Sequence, residues 1–276
     1  YDSAGIAVVE KGVIKVEKCK GRLANLVDKM AVDGKPQGHC GIGHTRWATH
    51  GEPSDINSHP HGNKRVSIVH NGIIENYKQI KDFLIEEGYS FVSETDTETV
   101  AKLLDYYYVD DPVDTIIKVL SEIKGSYALG IMFRDYPDTV FAVRKECPLI
   151  VGVGENENFL ASDVPAIIKY TRDYYLLEAN EIAVVKKDSV QIYDMHKEPV
   201  HKEINTADWD VDAAEKGGYE HFMLKEIHEQ PAAVRDTVSP RIINGMPDLS
   251  QDGVDMQKLK DYRQIFIVAC GTAMHA

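Results

Sequence analysis

The sequence contains little cysteine and no long apolar run. Only four of its 276 residues are cysteine, and Cys19, Cys40, Cys147 and Cys270 stand far apart without a C-x-x-C pair. This spacing argues against a disulfide framework or a cysteine zinc site, and it is typical of the reduced thiols of a cytoplasmic protein. No apolar run reaches the roughly 20 residues that a membrane helix needs. We therefore expect a cytoplasmic protein with no bound metal and no membrane partner.

Positive charge is also scarce. The chain has 31 lysine and arginine residues against 44 aspartate and glutamate residues, which gives a net charge of −13. Binding to a nucleic-acid backbone requires clustered cationic side chains, so we expect no nucleic-acid partner. The hydrophobic share of 43% and the charged share of 27% are ordinary for a globular protein of one or two domains.

The most informative stretch is GHTRWATHG, residues 43–51, which follows an apolar, glycine-rich segment. A core strand would not carry so many polar groups, because each buried one must find a partner. Polar donors grouped around Trp47 indicate a pocket for a small ligand with a carboxylate. Arg46 is the natural partner of that carboxylate, since a guanidinium offers a planar pair of donors. The alternative is a surface loop with one arginine–acid pair, and this stretch alone leaves both open.

A second motif is Asn71-Gly72, which follows the alternating strand pattern of residues 66–70. Both residues tolerate positive φ, so the pair predicts a turn. The pattern of Glu75 to Gly88 predicts a helix directly afterwards. A turn from strand to helix exposes backbone N–H groups, which together with the Asn71 amide could hold an oxyanion. A plain turn remains the alternative.

A third motif, residues 93–98 (SETDTE), predicts the start of a helix. Thr95 followed by Glu98 fits a capping box. Asp96 then has two interpretations. It is either an acid near the positive end of the helix dipole or a carboxylate that receives the ammonium group of a ligand.

The second half of the chain predicts strands rather than helices, at 126–133, 139–144, 148–153, 158–161, 182–186 and 190–194. Their spacing of about ten residues fits stacked antiparallel sheets. An acidic, glycine-containing stretch at 206–219 predicts a linker, and a helix is expected at 220–236. A last buried strand at 264–269 leads into Cys270-Gly271-Thr272, which is either a phosphate-binding loop or a strand-end turn.

Four blocks in this order resemble class II glutamine amidotransferases: residues 1–5, 45–51, 70–76 and 93–98. Residues 225–231 and 269–272 narrow the resemblance to the glutamine–fructose-6-phosphate aminotransferases (isomerising), also called glucosamine-6-phosphate synthases. The resemblance implies an α+β fold, the N-terminal-nucleophile αββα sandwich with two stacked antiparallel sheets between helix layers. It also implies a glutaminase domain at 1–205, a linker at 206–219 and the truncated start of an α/β sugar-isomerase (SIS) domain at 220–276.

The resemblance further implies roles for individual residues. Asn71 and Gly72 would form the oxyanion hole, and Trp47 would line the path of ammonia. The remaining expected contacts are to glutamine, from Arg46, Thr49, His50 and Asp96, and to a sugar phosphate, from Cys270, Gly271 and Thr272. The family's nucleophile is an N-terminal cysteine, which we expect upstream of Tyr1, so the printed chain should be inactive.

For the full-length protein the resemblance implies transfer of glutamine nitrogen to fructose 6-phosphate, giving glucosamine 6-phosphate, the first step of amino-sugar synthesis. It implies a homodimer and no cofactor. Two alternatives stay open. The chain could belong to another class II amidotransferase, such as the phosphoribosyl one, or it could be a non-catalytic glutamine-binding module.

Overall fold

The computed structural model describes residues 1–48, 50–208 and 217–264, together with residues 266 and 268. The chain divides into two compact units, Tyr1–Val211 and Asp212–Ala276. Across the described residues, no helix combines the length and the apolar composition needed to cross a bilayer.

The first unit contains helices and many strands. Its helices are α1 (Leu23–Asp33), α2 (Tyr77–Glu86), α3 (Asp96–Tyr107) and α4 (Pro112–Glu122). Its strands are β1 (Ser3–Glu10), β2 (Val13–Lys20), β3 (Gly41–Arg46), β4 (His61–Gly62), β5 (Val66–Ile74), β6 (Gly125–Phe133), β7 (Thr139–Lys145), β8 (Ile150–Val153), β9 (Asn158–Ala161), β10 (Asp173–Leu176), β11 (Ile182–Lys186), β12 (Val190–Tyr193) and β13 (Asn205–Thr206).

A six-stranded antiparallel sheet in the order β12-β11-β7-β6-β5-β4 forms the centre of this unit. The alternation of β6 explains its two faces, because successive strand residues point to opposite sides. Leu129 and Ile131 are buried against helices α2, α3 and α4. Ala128 and Met132 are buried on the opposite face. The sheet therefore separates a helix layer from a second layer of strands.

Two smaller antiparallel sheets make up that second layer. The three-stranded sheet β2-β1-β3 packs Ala7 and Ile42 against Met132 of the central sheet. The four-stranded sheet β13-β10-β8-β9 contributes Val151 to a second buried cluster. Helix α1 contacts β1 and β2 and buries Leu26. The order of layers is helix, sheet, sheet, helix, which confirms the expected α+β sandwich.

Two strands beside the cavity described below run further than expected. Strand β5 continues to Ile74, so Asn71-Gly72 lies inside a strand and not in a turn. Gly72 still pairs with Tyr127 at φ 125°, where a Cβ would lie 2.1 Å from the Ser126 carbonyl oxygen. Strand β3 likewise runs beyond the apolar, glycine-rich segment and includes Arg46, because β1 pairs with it along its whole length.

The six strands predicted between residues 126 and 194 and the helix predicted after Asn71-Gly72 are confirmed within two residues, but some strands of this unit were not predicted. These are β4, β10 and β13, which are two to four residues long. Strands β4 and β13, with two residues each, are too short to show alternation, so they are recognised only through their partners.

The second unit contains helix α5 (Phe222–Val238) and a two-residue pair of strands, β14 (Ile242–Ile243) and β15 (Met246–Pro247). The helix was predicted. The expected buried strand at 264–269 is wrong where it can be checked, since Phe266 and Val268 are outside any strand and are 78% and 94% exposed. A strand needs a neighbouring strand to hydrogen-bond its backbone groups. The described strands of this unit, β14 and β15, already pair with each other. Residues 265, 267 and 269 and the expected loop residues Cys270, Gly271 and Thr272 lie outside the described residues.

Candidate functional site

A cavity of about 390 Å³ lies along the outer edge of β5. Strand β4 pairs with β5 only at Ser67 and Ile68, so in the described part of the chain the rest of this edge has no neighbouring strand. A ligand in this gap can reach backbone N–H and C=O groups of β5 that a neighbouring strand would otherwise hydrogen-bond. The lining residues are Tyr1, His44, Thr45, Arg46, Trp47, His50, His59, His70, Asn71, Gly72, Ile73, Thr95, Asp96, Thr97 and Ser126.

Backbone N–H groups of β5 point into this gap at every second residue. The His70 N–H donates to His59 Nδ1 at 3.3 Å. The Ile74 N–H donates to Asp96 Oδ2 at 2.8 Å. Since strand alternation repeats every two residues, the Gly72 N–H points to the same edge, between these two capped donors. It is therefore directed at the cavity, as an oxyanion donor must be.

The Asn71 side chain lies on the opposite face of β5 from His70 and turns toward β3. Its Oδ1 lies 2.6 Å from Nε2 of His44, a β3 residue. An Asn carboxamide has one acceptor end and one donor end, so this contact uses the acceptor and leaves the NH₂ for the cavity. The predicted pairing of the Asn71 amide with the Gly72 N–H is therefore compatible with the structure. The two residues lie in a strand, however, and not in the predicted turn.

Arg46, the last residue of β3, is only 4% exposed. Its Nη2 donates to the carbonyl oxygens of His50 and Gly51, the latter at 3.1 Å. Its Nη1 lies 3.8 Å from Asp2 Oδ1, which is longer than a hydrogen bond, and within the described residues it has no hydrogen-bond partner. A buried guanidinium nitrogen without an acceptor is costly, and a carboxylate in the cavity would satisfy it.

Asp96 begins helix α3 and is buried. One carboxylate oxygen accepts the Ile74 N–H, and the other lies 3.5 Å from the Thr97 hydroxyl. Thr95 caps the helix by accepting the Glu98 N–H at 3.3 Å, as predicted. The Glu98 carboxylate bonds to the Ser93 N–H instead of the N–H of the cap, so only half of the predicted capping box forms. Asp96 is thus both a helix-start acid and part of the cavity wall.

A cluster of histidines, of which His59, His61 and His70 are buried and His44 is half-buried, surrounds these groups and was not recognised in the sequence. His44 stacks on His59 with ring centroids 4.4 Å apart, and His59 lies edge-on to His61 at 5.0 Å. Burial lowers the pKa of all of them and of His70, to about 3 for His61 and about 4 for His70. The rings are therefore neutral near pH 7. The sequence feature that could have indicated this cluster is His59-Pro60-His61, in which two histidines lie close together in a polar loop.

Of the remaining residues predicted for the glutamine site, two line the cavity and one lies outside the described residues. Trp47 lines the cavity and is 79% exposed. His50 also lines it, with its ring 5.4 Å from that of Tyr77. Thr49 lies outside the described residues. Among the residues that the structure describes, no group of histidine, cysteine and acidic side chains could hold a metal ion.

Comparison with known sequences identifies relatives over the whole chain. Residues 44–169 match the family model of a glutamine amidotransferase domain. The chain is 57% identical over 280 aligned residues to the glutamine–fructose-6-phosphate aminotransferase (isomerising) of Caldanaerobacter subterraneus subsp. tengcongensis. It is 54% identical to the enzyme of the same name from Clostridium acetobutylicum. Both matches cover 100% of this chain and 46% of the relative, so the chain spans about half their length.

Comparison with solved structures gives the same fold at lower sequence identity. The glutamine phosphoribosylpyrophosphate amidotransferase of B. subtilis matches with a TM-score of 0.60 and 23% identity. That match covers 70% of this chain and 43% of the other. The allosteric regulatory enzyme of purine biosynthesis matches with a TM-score of 0.61, also at 23% identity. The phosphoribosyl alternative is therefore a likeness of fold only. The chain is a homologue, along its entire length, of the glutamine–fructose-6-phosphate aminotransferases, and its residues 44–169 correspond to a glutamine amidotransferase domain.

Proposed function

We propose that the cavity binds glutamine and is the site where its side-chain amide is hydrolysed. Arg46 Nη1 binds the α-carboxylate and Asp96 receives the α-ammonium. The Asn71 NH₂ and the Gly72 N–H stabilise the negative charge that develops on the δ-carbonyl oxygen. The observation that carries the proposal is that all four groups line one cavity. Thr49 and His50 complete the contacts to glutamine.

On this proposal the nucleophile is the N-terminal cysteine that the family resemblance implies. None of Cys19, Cys40 and Cys147 lines the cavity, and burial raises the pKa of Cys40 to about 11, which suppresses its thiolate. An N-terminal cysteine preceding this segment attacks the δ-carbonyl, ammonia leaves, and water releases glutamate from the thioester. Residues 1–276 alone should therefore bind glutamine without releasing glutamate.

In the complete protein the ammonia passes along Trp47 to fructose 6-phosphate and yields glucosamine 6-phosphate. Residues 1–205 form the glutaminase domain, 206–219 the linker and 220–276 the start of a sugar-isomerase domain. Cys270, Gly271 and Thr272 bind the sugar phosphate. The full-length protein is a cytoplasmic homodimer that needs no cofactor. The identities of 57% and 54% to aminotransferases of this name support the proposal.

A chimera tests the proposed function. Residues 1–276 replace the matching segment of the Caldanaerobacter enzyme, and the release of glutamate and the formation of glucosamine 6-phosphate are measured separately. We expect both activities, and we expect Asn71→Ala to lower the turnover of glutamine about 10²–10³-fold, as loss of one oxyanion donor does. A folded chimera that hydrolyses no glutamine would contradict the proposal, as would glutamate release by residues 1–276 alone.

A further inference from the structure

His44 and Asn71 face each other across two layers of the fold. His44 lies on β3, where pairing with Gly5 of β1 fixes its backbone. Asn71 lies on β5, where it pairs with Ala128 of β6. Their side chains meet at 2.6 Å between Nε2 and Oδ1. The His44 ring is held further by stacking on His59, at an interplanar angle of 19°. The orientations of the His44 and Asn71 side chains therefore depend on each other.

The chemistry of this contact decides which end of the Asn71 carboxamide faces the cavity. Oδ1 accepts hydrogen bonds and cannot donate, so His44 must carry a proton on Nε2. With the proton on Nδ1, the bare Nε2 would attract the Asn71 NH₂ and turn Oδ1 toward the cavity. An oxygen in that position would repel a developing oxyanion and would not stabilise it.

We propose that His44 is a positioning residue, whose Nε2–H fixes the Asn71 carboxamide so that its NH₂ serves as an oxyanion donor. This inference rests on the proposed function. Within the described residues, His44 Nδ1 is buried without a hydrogen-bond partner, so the Nε2–H tautomer leaves no N–H unpaired. Burial and the nearby Arg46 charge lower the pKa of His44, which keeps the ring neutral and able to have a defined tautomer.

The tautomer can be measured without turnover. Nitrogen chemical shifts of ¹⁵N-histidine-labelled residues 1–276 separate the Nε2–H from the Nδ1–H form, and the spectrum of His44→Gln identifies the His44 signals. We expect the Nε2–H tautomer. Nδ1–H, or rapid exchange between the two forms, would overturn the inference regardless of whether the protein hydrolyses glutamine.

Kinetics of the chimera test the consequence for catalysis. We expect His44→Leu to lower kcat about 10²-fold, close to the effect of Asn71→Ala, with little change in KM for glutamine. His44→Gln keeps an N–H donor at the corresponding position, so we expect it to restore most of the rate. Because His44 acts through Asn71, the double variant His44→Leu/Asn71→Ala should be no slower than Asn71→Ala alone.

The possible results separate the two proposals. Additive effects in the double variant, or equal losses in His44→Leu and His44→Gln, would mean that His44 is structural and would overturn the inference. A slow Asn71→Ala variant with a normal His44→Leu variant would overturn this inference and leave the proposed function standing. An unaffected Asn71→Ala variant would overturn both.

Discussion

The two walls of the cavity are built differently. The strand–helix wall consists of β5 and the start of α3, where Asp96, Thr97 and His70 are almost completely buried and hydrogen-bonded to one another. The arginine loop, which is the described part of residues 46–51, is held by the Arg46 guanidinium at the His50 and Gly51 carbonyls and by the Asp2 carboxylate at the Ala48 N–H, while Trp47 is 79% exposed. The wall proposed to bind the ammonium group is therefore preformed, whereas the wall proposed to bind the carboxylate depends in part on the arginine that would bind it.

Low pH should act on the buried histidines of the strand–helix wall and of the neighbouring strand β4. The pKa values of His61 and His70, about 3 and 4, lie below the ordinary 6.5 because burial disfavours the charged rings. Between pH 6.5 and 4 the unfolded chain takes up protons that the folded chain cannot accept, so stability that is full above pH 6.5 is lost as pH falls. We expect each histidine to remove ~1 kcal/mol of unfolding free energy per pH unit in this window.

Urea unfolding of residues 1–276 at a series of pH values measures this slope. His70→Gln should make the slope shallower, and His196→Gln, which changes an exposed histidine, should leave it unchanged. Identical slopes for the wild type and both variants would show that these rings are not buried in neutral form.

The same wall should be intolerant of a methyl group at Gly72. Its φ of 125° disfavours alanine, and the added Cβ would lie 2.1 Å from a backbone oxygen of β6. We expect Gly72→Ala to lower the unfolding free energy by about 3 kcal/mol. Gly12→Ala is the matched control, because Gly12 also has positive φ but has no atom within 4 Å of its Cβ position. Equal losses for the two variants would contradict the close approach of β5 and β6.

Asp96→Asn separates charge from structure on this wall. The asparagine oxygen can still accept the Ile74 N–H, so the helix start should remain intact. Loss of the negative charge should weaken glutamine binding about 10–100-fold, which corresponds to one charge-assisted hydrogen bond. Calorimetric titration of residues 1–276 with glutamine measures the change. Asp105→Asn, on the same helix but outside the cavity lining, is the control and should bind normally.

The sequence predicted local features of the site better than its assembly. Arg46 and Asp96 could be selected because a guanidinium in a polar stretch and an acid at a capped helix start have local signatures. Asn71 and Gly72 were predicted as oxyanion donors and assigned to a turn, but they lie in a strand, since the pairing that keeps Gly72 in the sheet comes from β6, more than 50 residues later. His59 and His61 were missed because their contacts form only when their loop folds onto β5, and the two-residue β4 leaves no pattern.

Arg46→Lys tests the comparison of the two walls most directly. Lysine keeps the positive charge but cannot reproduce the contacts of one guanidinium to both the His50 and Gly51 carbonyls. We expect about tenfold weaker glutamine binding and faster amide hydrogen exchange in residues 46–51, while exchange in α3 stays unchanged. The two readouts distinguish the two roles of Arg46. If binding weakened while exchange in the loop stayed slow, the arginine would bind the carboxylate without organising its own wall. The contrast between a preformed wall and one that depends on its ligand-binding residue would then be wrong.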